Sequence, residues 1–157
     1  VTEADWFLTN AGGYVGSALL VLDWEAQPNS AWGDGNWVRT FVNRVHDRTG
    51  VWPLVYVQKS AIDHIPLDVW NDCGLWVSLY GPAYPDNGYR RSPWGMVLRD
   101  KVMLQYAHPG RFPGYSKDLN VDVFSGDESE WDAYANPNGA HKPSAMPSTS
   151  GRCSRRP

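Results

Sequence analysis

Leu19, Leu20, Val21 and Leu22 form an uninterrupted apolar run that ends in Asp23, Trp24 and Glu25. A run without polar alternation suits a strand covered on both faces, as in a parallel sheet. Side chains two apart on a strand point the same way, so Asp23 and Glu25 are expected on one side with alpha carbons roughly 6.6 Å apart, and Trp24 on the other. Upstream, "VTEADWFLTNAGG" reads as the last turns of a helix with a glycine stop. Downstream, Trp37, Val38, Phe41, Val42 and Val45 recur at helical spacing, with Asn29 or Ser30 as cap and Gly50 as stop, and predict a surface helix. "WPLVYVQ" predicts a strand with Val55 and Val57 on one side and Tyr56 on the other, and "SAIDHIPLDVW" a weak helical patch. "GLWVSLYG" reads as a third strand, "GPAYPDNGYRRSPWG" as a Pro/Gly-rich loop carrying three aromatics, and "KVMLQYAHPG" as a fourth strand. "DLNVDVFSGDESEWDAYA" predicts a terminal strand followed by a short helix or turn.

Strands separated by helical segments, then strands at closer spacing, predict an α/β fold that is part of a β/α barrel. The carboxyl ends of the strands are where such folds place their chemistry, and Asp23 and Glu25 stand at one of them. Residues 1–135 are expected to form one domain. From residue 136 onward the chain has hardly any large apolar residue and is rich in Pro, Ser and Arg, which predicts a disordered tail or linker.

Composition narrows the class of partner. The 14 basic and 17 acidic residues give a formal charge of −3 with no Lys/Arg stripe, so neither nucleic acid nor an anionic membrane is expected as a partner. The longest apolar run, Ala18 to Leu22, is far too short to span a bilayer, and these residues encode no secretion signal. Cys73 and Cys153 do not suggest a disulfide framework. The four histidines, His46, His64, His108 and His141, are scattered without metal-ligand spacing, so no metal is expected, and with no Gly-rich phosphate loop no cofactor is expected either. Nine Trp and eight Tyr against four Phe favour rings that have both a flat apolar face and a polar edge.

Hydrolysis of a glycosidic bond needs one protonated carboxylic acid for the leaving oxygen and one ionised group to support charge at the anomeric carbon. Two acids held close together separate their own pKa values, and Asp23 and Glu25 have the residue types and spacing for this. The plain alternative is a strand that ends in polar residues as it reaches solvent.

The stations "EADWFL", "LVLDWEA", "PLVYVQKS", "LWVSLYG", "MLQYAHPG" and "DLNVDVFSGD", in this order over residues 3–126, resemble glycoside hydrolase family 25, the Chalaropsis-type lysozymes that phages and bacteria use to cut peptidoglycan. The resemblance implies a TIM-like (β/α) barrel lacking its first strands, with the amino terminus of the whole protein upstream of Val1. It implies a muramidase that cleaves the β-1,4 bond between N-acetylmuramic acid and N-acetylglucosamine at the bacterial wall, after secretion or after release by phage from the host cytoplasm. By resemblance Glu25 is the general acid/base and Asp23 its electrostatic partner, with Tyr56, Trp76, Tyr80, Gln105 and Tyr106 around the groove. Trp6, Trp37 and Trp131 are expected in the core instead. Anchoring the last strand on Phe124 places Asn120 where the family has an aspartate, whereas matching "DLN" selects Asp118; Asp118, Asn120 and Asp122 share strand parity and any of them could face the cleft. Two other readings stand beside this one. A glycan-binding or inactive remnant of the fold is compatible with Asn120, and a family 18 chitinase shares Asp-Trp-Glu but has upstream aspartates where this chain has Ala18 and Val21.

Overall fold

In the computed structural model, strand residues of opposite parity sort onto two different surfaces of one open, curled sheet, and this sorting positions everything that follows. The structure describes residues 2–26, 29–80, 86–87 and 101–137. Helix α1 (Thr2–Ala11) leads through a 3-10 turn (Gly12–Tyr14) to β1 (Val21–Asp23). Then follow α2 (Gly35–Thr49), β2 (Leu54–Gln58), a 3-10 segment (Lys59–His64), α3 (Leu67–Cys73) and β3 (Leu75–Ser78). The short β4 (Asp86–Asn87), the long β5 (Lys101–Phe112), β6 (Tyr115–Phe124) and α4 (Glu128–Ala135) complete the order. The sheet runs β1-β2-β3-β5-β4 with every neighbouring pair parallel, and β6 pairs antiparallel with β5. The loop expected to carry three aromatics lies outside the described residues apart from Asp86 and Asn87, and so does the expected tail apart from Asn136 and Pro137.

Leu20, Leu22, Trp24, Val55, Val57, Leu75 and Val77 form one surface, buried against Ala4 of α1, Val38, Phe41, Val42 and Val45 of α2, and Val69 and Cys73 of α3. The opposite parity faces the concave side. Near the amino-terminal ends of the strands that side is apolar: Leu19, Val21, Leu54, Trp76, Met103 and Phe124 pack together with Tyr134 of α4. Near the carboxyl ends it turns polar, and there the site lies.

Helix α2 is set by its ends as much as by its apolar stripe. The Asp34 carboxylate accepts from the backbone N–H groups of Asn36 (2.9 Å) and Trp37 (3.1 Å), and Gly50 closes the helix at φ 74°, a left-handed cap without Cβ strain. Asp34, and neither Asn29 nor Ser30, is therefore the cap; Asn29 instead closes a local turn through the Ala31 N–H. The weak helical patch divides at Pro66 into the 3-10 segment and α3. The last two strands form a hairpin through Pro113 and Gly114; Gly114 at φ 82° suits the third position of a type II turn.

The expectation that Trp6 and Trp131 are core residues is corrected. Trp6 is 71% exposed on α1, and Trp131 lies edge-on to Phe124 at the surface of α4. Both helices are short, with room for only one buried stripe, and that stripe is taken by Ala4 in α1 and by Tyr134 and Ala135 in α4. Trp37, stacked on Phe41, does pack against the core.

Candidate active site

Two register rows cross the concave face, the second nearer the carboxyl ends of the strands. In the first, Asp23 is paired with Tyr56, Tyr56 with Trp76, Trp76 with Met103 and Met103 with Phe124. In the second, Gln58 is paired with Ser78, Ser78 with Gln105 and Gln105 with Asp122. Since neighbouring strands in register place equivalent side chains on the same face, the rows bring residues from 23 to 124 to one concave wall.

Asp23 ends β1 and Glu25 lies two residues on, just past the strand. Trp24 between them points the other way into the core, where its Nε1–H donates to the Ala31 carbonyl oxygen at 3.2 Å and its ring lies against Trp32 at 4.7 Å. The buried indole thereby ties the segment after Glu25 to the outer face. Val21, Asp23, Glu25, Tyr56, Trp76, Gln105 and Asn120 line a cavity of about 260 Å³. A second cavity of about 730 Å³ shares Glu25, Tyr56, Gln105 and Asn120 and adds Gln58, Lys59, Ser60, Ser78, Leu79, Tyr80 and His108. Together they make a groove with Asp23 at one end, Lys59 and His108 at the other, and Glu25 common to both parts.

The wall is cross-linked by hydrogen bonds. The hydroxyls of Tyr56 and Tyr80 both donate to Gln105 Oε1, at 3.0 and 2.8 Å. Trp76 Nε1–H donates to Asp122 Oδ1 at 2.9 Å, and its ring lies edge-on to Tyr56 with centroids 5.1 Å apart. Burial pushes the Asp23 carboxyl above the ordinary range. It does the same to Asp122, against the lowering pull of hydrogen bonds from Trp76 and Gln105. Burial likewise raises the Tyr56 phenol to about 12; a hydrogen bond with Ser78 acts downward, and the nearby charges of Glu25, Tyr80 and Asp23 act upward.

Of the expected site residues, Asp23, Glu25, Tyr56, Trp76, Tyr80, Gln105 and Asn120 come together in this groove. Tyr106 does not. One position from Gln105, it takes the opposite parity and is buried with Leu104, Ala107 and Val121 on the other surface. Asp118 does not either: it lies where the hairpin has run past the Ser78–Gln105 register pair, and is paired there with Arg111 at 2.6 Å, both side chains half exposed. Asn120 lines the groove, and Asp122 lies beside it bonded to Trp76 and Gln105. Gln58, Ser78, Lys59, Ser60 and His108 were not expected. The first two follow from the rule that pairs Glu25 with Asp23, because each lies two residues beyond an aromatic already placed in the groove. Lys59 and Ser60 sit in the 3-10 segment and His108 in β5 where the register with β6 shifts between Ala107 and Gly110, so simple strand period does not fix their direction.

Among the described residues no group of three His, Cys, Asp or Glu side chains could hold a metal ion, and no helix is long and apolar enough to cross a membrane. The groove offers carboxyl groups, an amide, and ring faces flanked by hydroxyls, a set suited to a polyhydroxylated ring with apolar C–H faces.

Known structures share this architecture. A muramidase from Acremonium alcalophilum is 26% identical with a TM-score of 0.58, the match covering 85% of this chain and 65% of that one. The bacterial lysozyme from Streptomyces coelicolor is 26% identical with a TM-score of 0.61, over 85% of this chain and 64% of that one. A glycosyl hydrolase 25 of Streptococcus pneumoniae, described as a virulence factor participating in host cell invasion, is 19% identical with a TM-score of 0.62, over 86% and 57%, and at that identity speaks to the fold alone. The chain spans less than two thirds of the length of each of these structures. No curated protein matches it in sequence at a significant level. The sequence profile of glycosyl hydrolases family 25 matches residues 1–115, well over half of the chain and including β1, β2, β3 and the paired acids, so the chain belongs to glycosyl hydrolases family 25.

Proposed function

We propose that this chain is part of a (β/α)-barrel peptidoglycan hydrolase that cleaves the β-1,4 bond between N-acetylmuramic acid and N-acetylglucosamine. The observation that carries the reading is the groove in which Asp23 and Glu25 meet Tyr56, Trp76, Tyr80 and Gln105 at the carboxyl ends of parallel strands. Glu25, common to both parts of the groove, is the general acid that protonates the leaving glycosidic oxygen and afterwards the base that takes a proton from water. Asp23 holds the 2-acetamido group so that its carbonyl oxygen attacks the anomeric carbon as the C–O bond to the leaving sugar breaks, and water then opens that intermediate with net retention. Tyr80 and Trp76 offer ring faces to the pyranose, and Asn120 binds a polar edge. The bacterial wall is the place of action.

A glycan-binding role without cleavage is the second reading, and Asn120 in the groove favours it: the resemblance calls for an aspartate there, and an amide adds no charge to the acid pair. One assay separates the two. Glu25→Gln keeps size and hydrogen bonding but has no proton of suitable acidity to give, so it should abolish clearing of a cell-wall suspension with the fold intact by circular dichroism. Clearing by the unaltered chain that Glu25→Gln leaves unchanged would sink the acid assignment; wall binding by the unaltered chain without clearing would favour the second reading.

A further inference from the structure

Gln105 is almost wholly buried in the groove, at 4% exposed. An amide has two unlike ends, and what surrounds it decides which end faces where. Across the β5–β6 pair its register partner is Asp122, which forms a hydrogen bond with it and accepts a second from Trp76 Nε1–H. An ionised carboxylate can only accept, so the amide must turn its N–H₂ to Asp122 and its Oε1 away. Oε1 then receives the two phenol protons of Tyr56 and Tyr80. A phenol has a single proton; once it is donated inward, the capacity left on that oxygen is for accepting, and on Tyr56 the hydrogen bond with Ser78 takes part of it.

We propose that Asp122 is a positioning residue of the groove: by fixing the Gln105 amide it draws the Tyr56 and Tyr80 protons inward, so that the wall offers hydroxyl oxygens as acceptors to the O–H and N–H donors of an N-acetylated sugar. The sugar in this statement rests on the function proposed above; the fixed amide does not. Asp122 touches no substrate and acts through Gln105. The acceptor character of the phenols matches that of the Asp23 carboxylate beside Tyr56. Asn at position 122 would reverse it: its own N–H₂ would face the amide, Gln105 would turn over, and its N–H₂ would donate to the phenols and push their protons into the groove.

The test compares the unaltered chain with Asp122→Asn and with the double variant Asp122→Asn, Gln105→Glu, in which a carboxylate at 105 again accepts from both phenols and from the new amide. In ¹H–¹⁵N spectra, Asp122→Asn should move the Trp76 indole and Gln105 side-chain amide signals; signals that stay in place overturn the positioning. Binding of the tetramer of N-acetylglucosamine should weaken roughly tenfold in Asp122→Asn, as expected for loss of hydrogen bonds to charged or buried groups, and recover most of that in the double variant. A moved amide with unchanged binding overturns the link to the groove. If the single variant fails to fold, the double variant decides: folded and binding, it supports the proposal, and folded without binding, it overturns it. Failure of the unaltered chain itself to bind the tetramer counts against the glycan reading, whereas the spectra judge the amide independently.

Discussion

Asp23 and Tyr56 are register partners across the parallel pair of β1 and β2, so the acid that ends the edge strand stands beside a phenol buried at the centre of the groove wall. Asp23 is exposed and Tyr56 buried, yet loss of solvent around each moves both in the same direction, towards the protonated form.

For Tyr56 the consequence is visible in alkaline titration. Its phenol, pushed up to about 12, should remain protonated at a pH where an unfolded tyrosine near 10 is half ionised. Because the folded value is the higher one, the folded state binds the proton more tightly. That contribution to stability is complete below the unfolded value and is lost as pH rises from about 10 towards 12. Ultraviolet difference titration of the chain against Tyr56→Phe should show one late-ionising phenol missing from the variant. A difference spectrum that titrates near 10 would remove the claim that Tyr56 is desolvated by its neighbours.

For Asp23 the same reasoning gives a stability prediction of opposite use. A carboxyl whose folded pKa is raised stabilises the fold below the unfolded value, 3.8, and is a liability once pH exceeds the folded value. Asp23→Asn should therefore raise the melting temperature at neutral pH, with the gain disappearing as pH falls below about 4, while wall clearing is lost. This is the behaviour of a group kept for chemistry rather than stability. Melting curves at pH 7 and pH 3 decide it; equal effects at both values would show that ionisation of Asp23 is not what the fold resists.

Much of this was legible in the sequence because strand period is a strong signal. The apolar run into Asp23, the parity that separates Trp24 from Glu25, and the Val55–Tyr56–Val57 alternation all appear in the structure with the faces they predict. The same rule places Tyr106, one position from Gln105, on the opposite face, against its expected position at the groove. Asp118 failed for a different reason. Parity along β6 says nothing about where β3 stops, and Asp118 lies past that point, across from the part of β5 that pairs with β4, a long-range fact. The cap of α2 was missed because three side chains capable of capping, Asn29, Ser30 and Asp34, precede the apolar stripe, and only the path of the intervening turn selects among them.

That choice of cap can be measured. Asp34→Ala removes the acceptor of two otherwise orphaned N–H groups and should cost about 1 kcal/mol of stability, whereas Ser30→Ala, exposed in a turn, should change it by less than about 0.5 kcal/mol. Urea unfolding midpoints of the two variants give the comparison. Equal costs would mean that α2 starts earlier in solution than Gly35.

Trp24 is where packing and chemistry meet. Its ring is fully buried, at 0% exposed, among the side chains that join β1 to α2, and its Nε1–H holds the Ala31 carbonyl oxygen while Trp32 lies against its face. Trp24→Phe removes the second ring and the donor together. It leaves a cavity and an unpaired carbonyl, for a loss of about 2–4 kcal/mol by the usual scale of large-to-small core changes. The functional effect should exceed what partial unfolding explains, because Glu25 is the next residue and leaves the end of β1 through the Trp24 anchor. Displacement of a general acid by a fraction of an ångström to an ångström lowers the rate of the step it serves, on the order of a hundredfold in unfavourable cases. Wall clearing should therefore fall at temperatures where circular dichroism shows Trp24→Phe fully folded, with binding of N-acetylglucosamine oligomers weakened much less. Clearing that simply tracks the folded fraction would reduce Trp24 to a core residue with no part in setting Glu25.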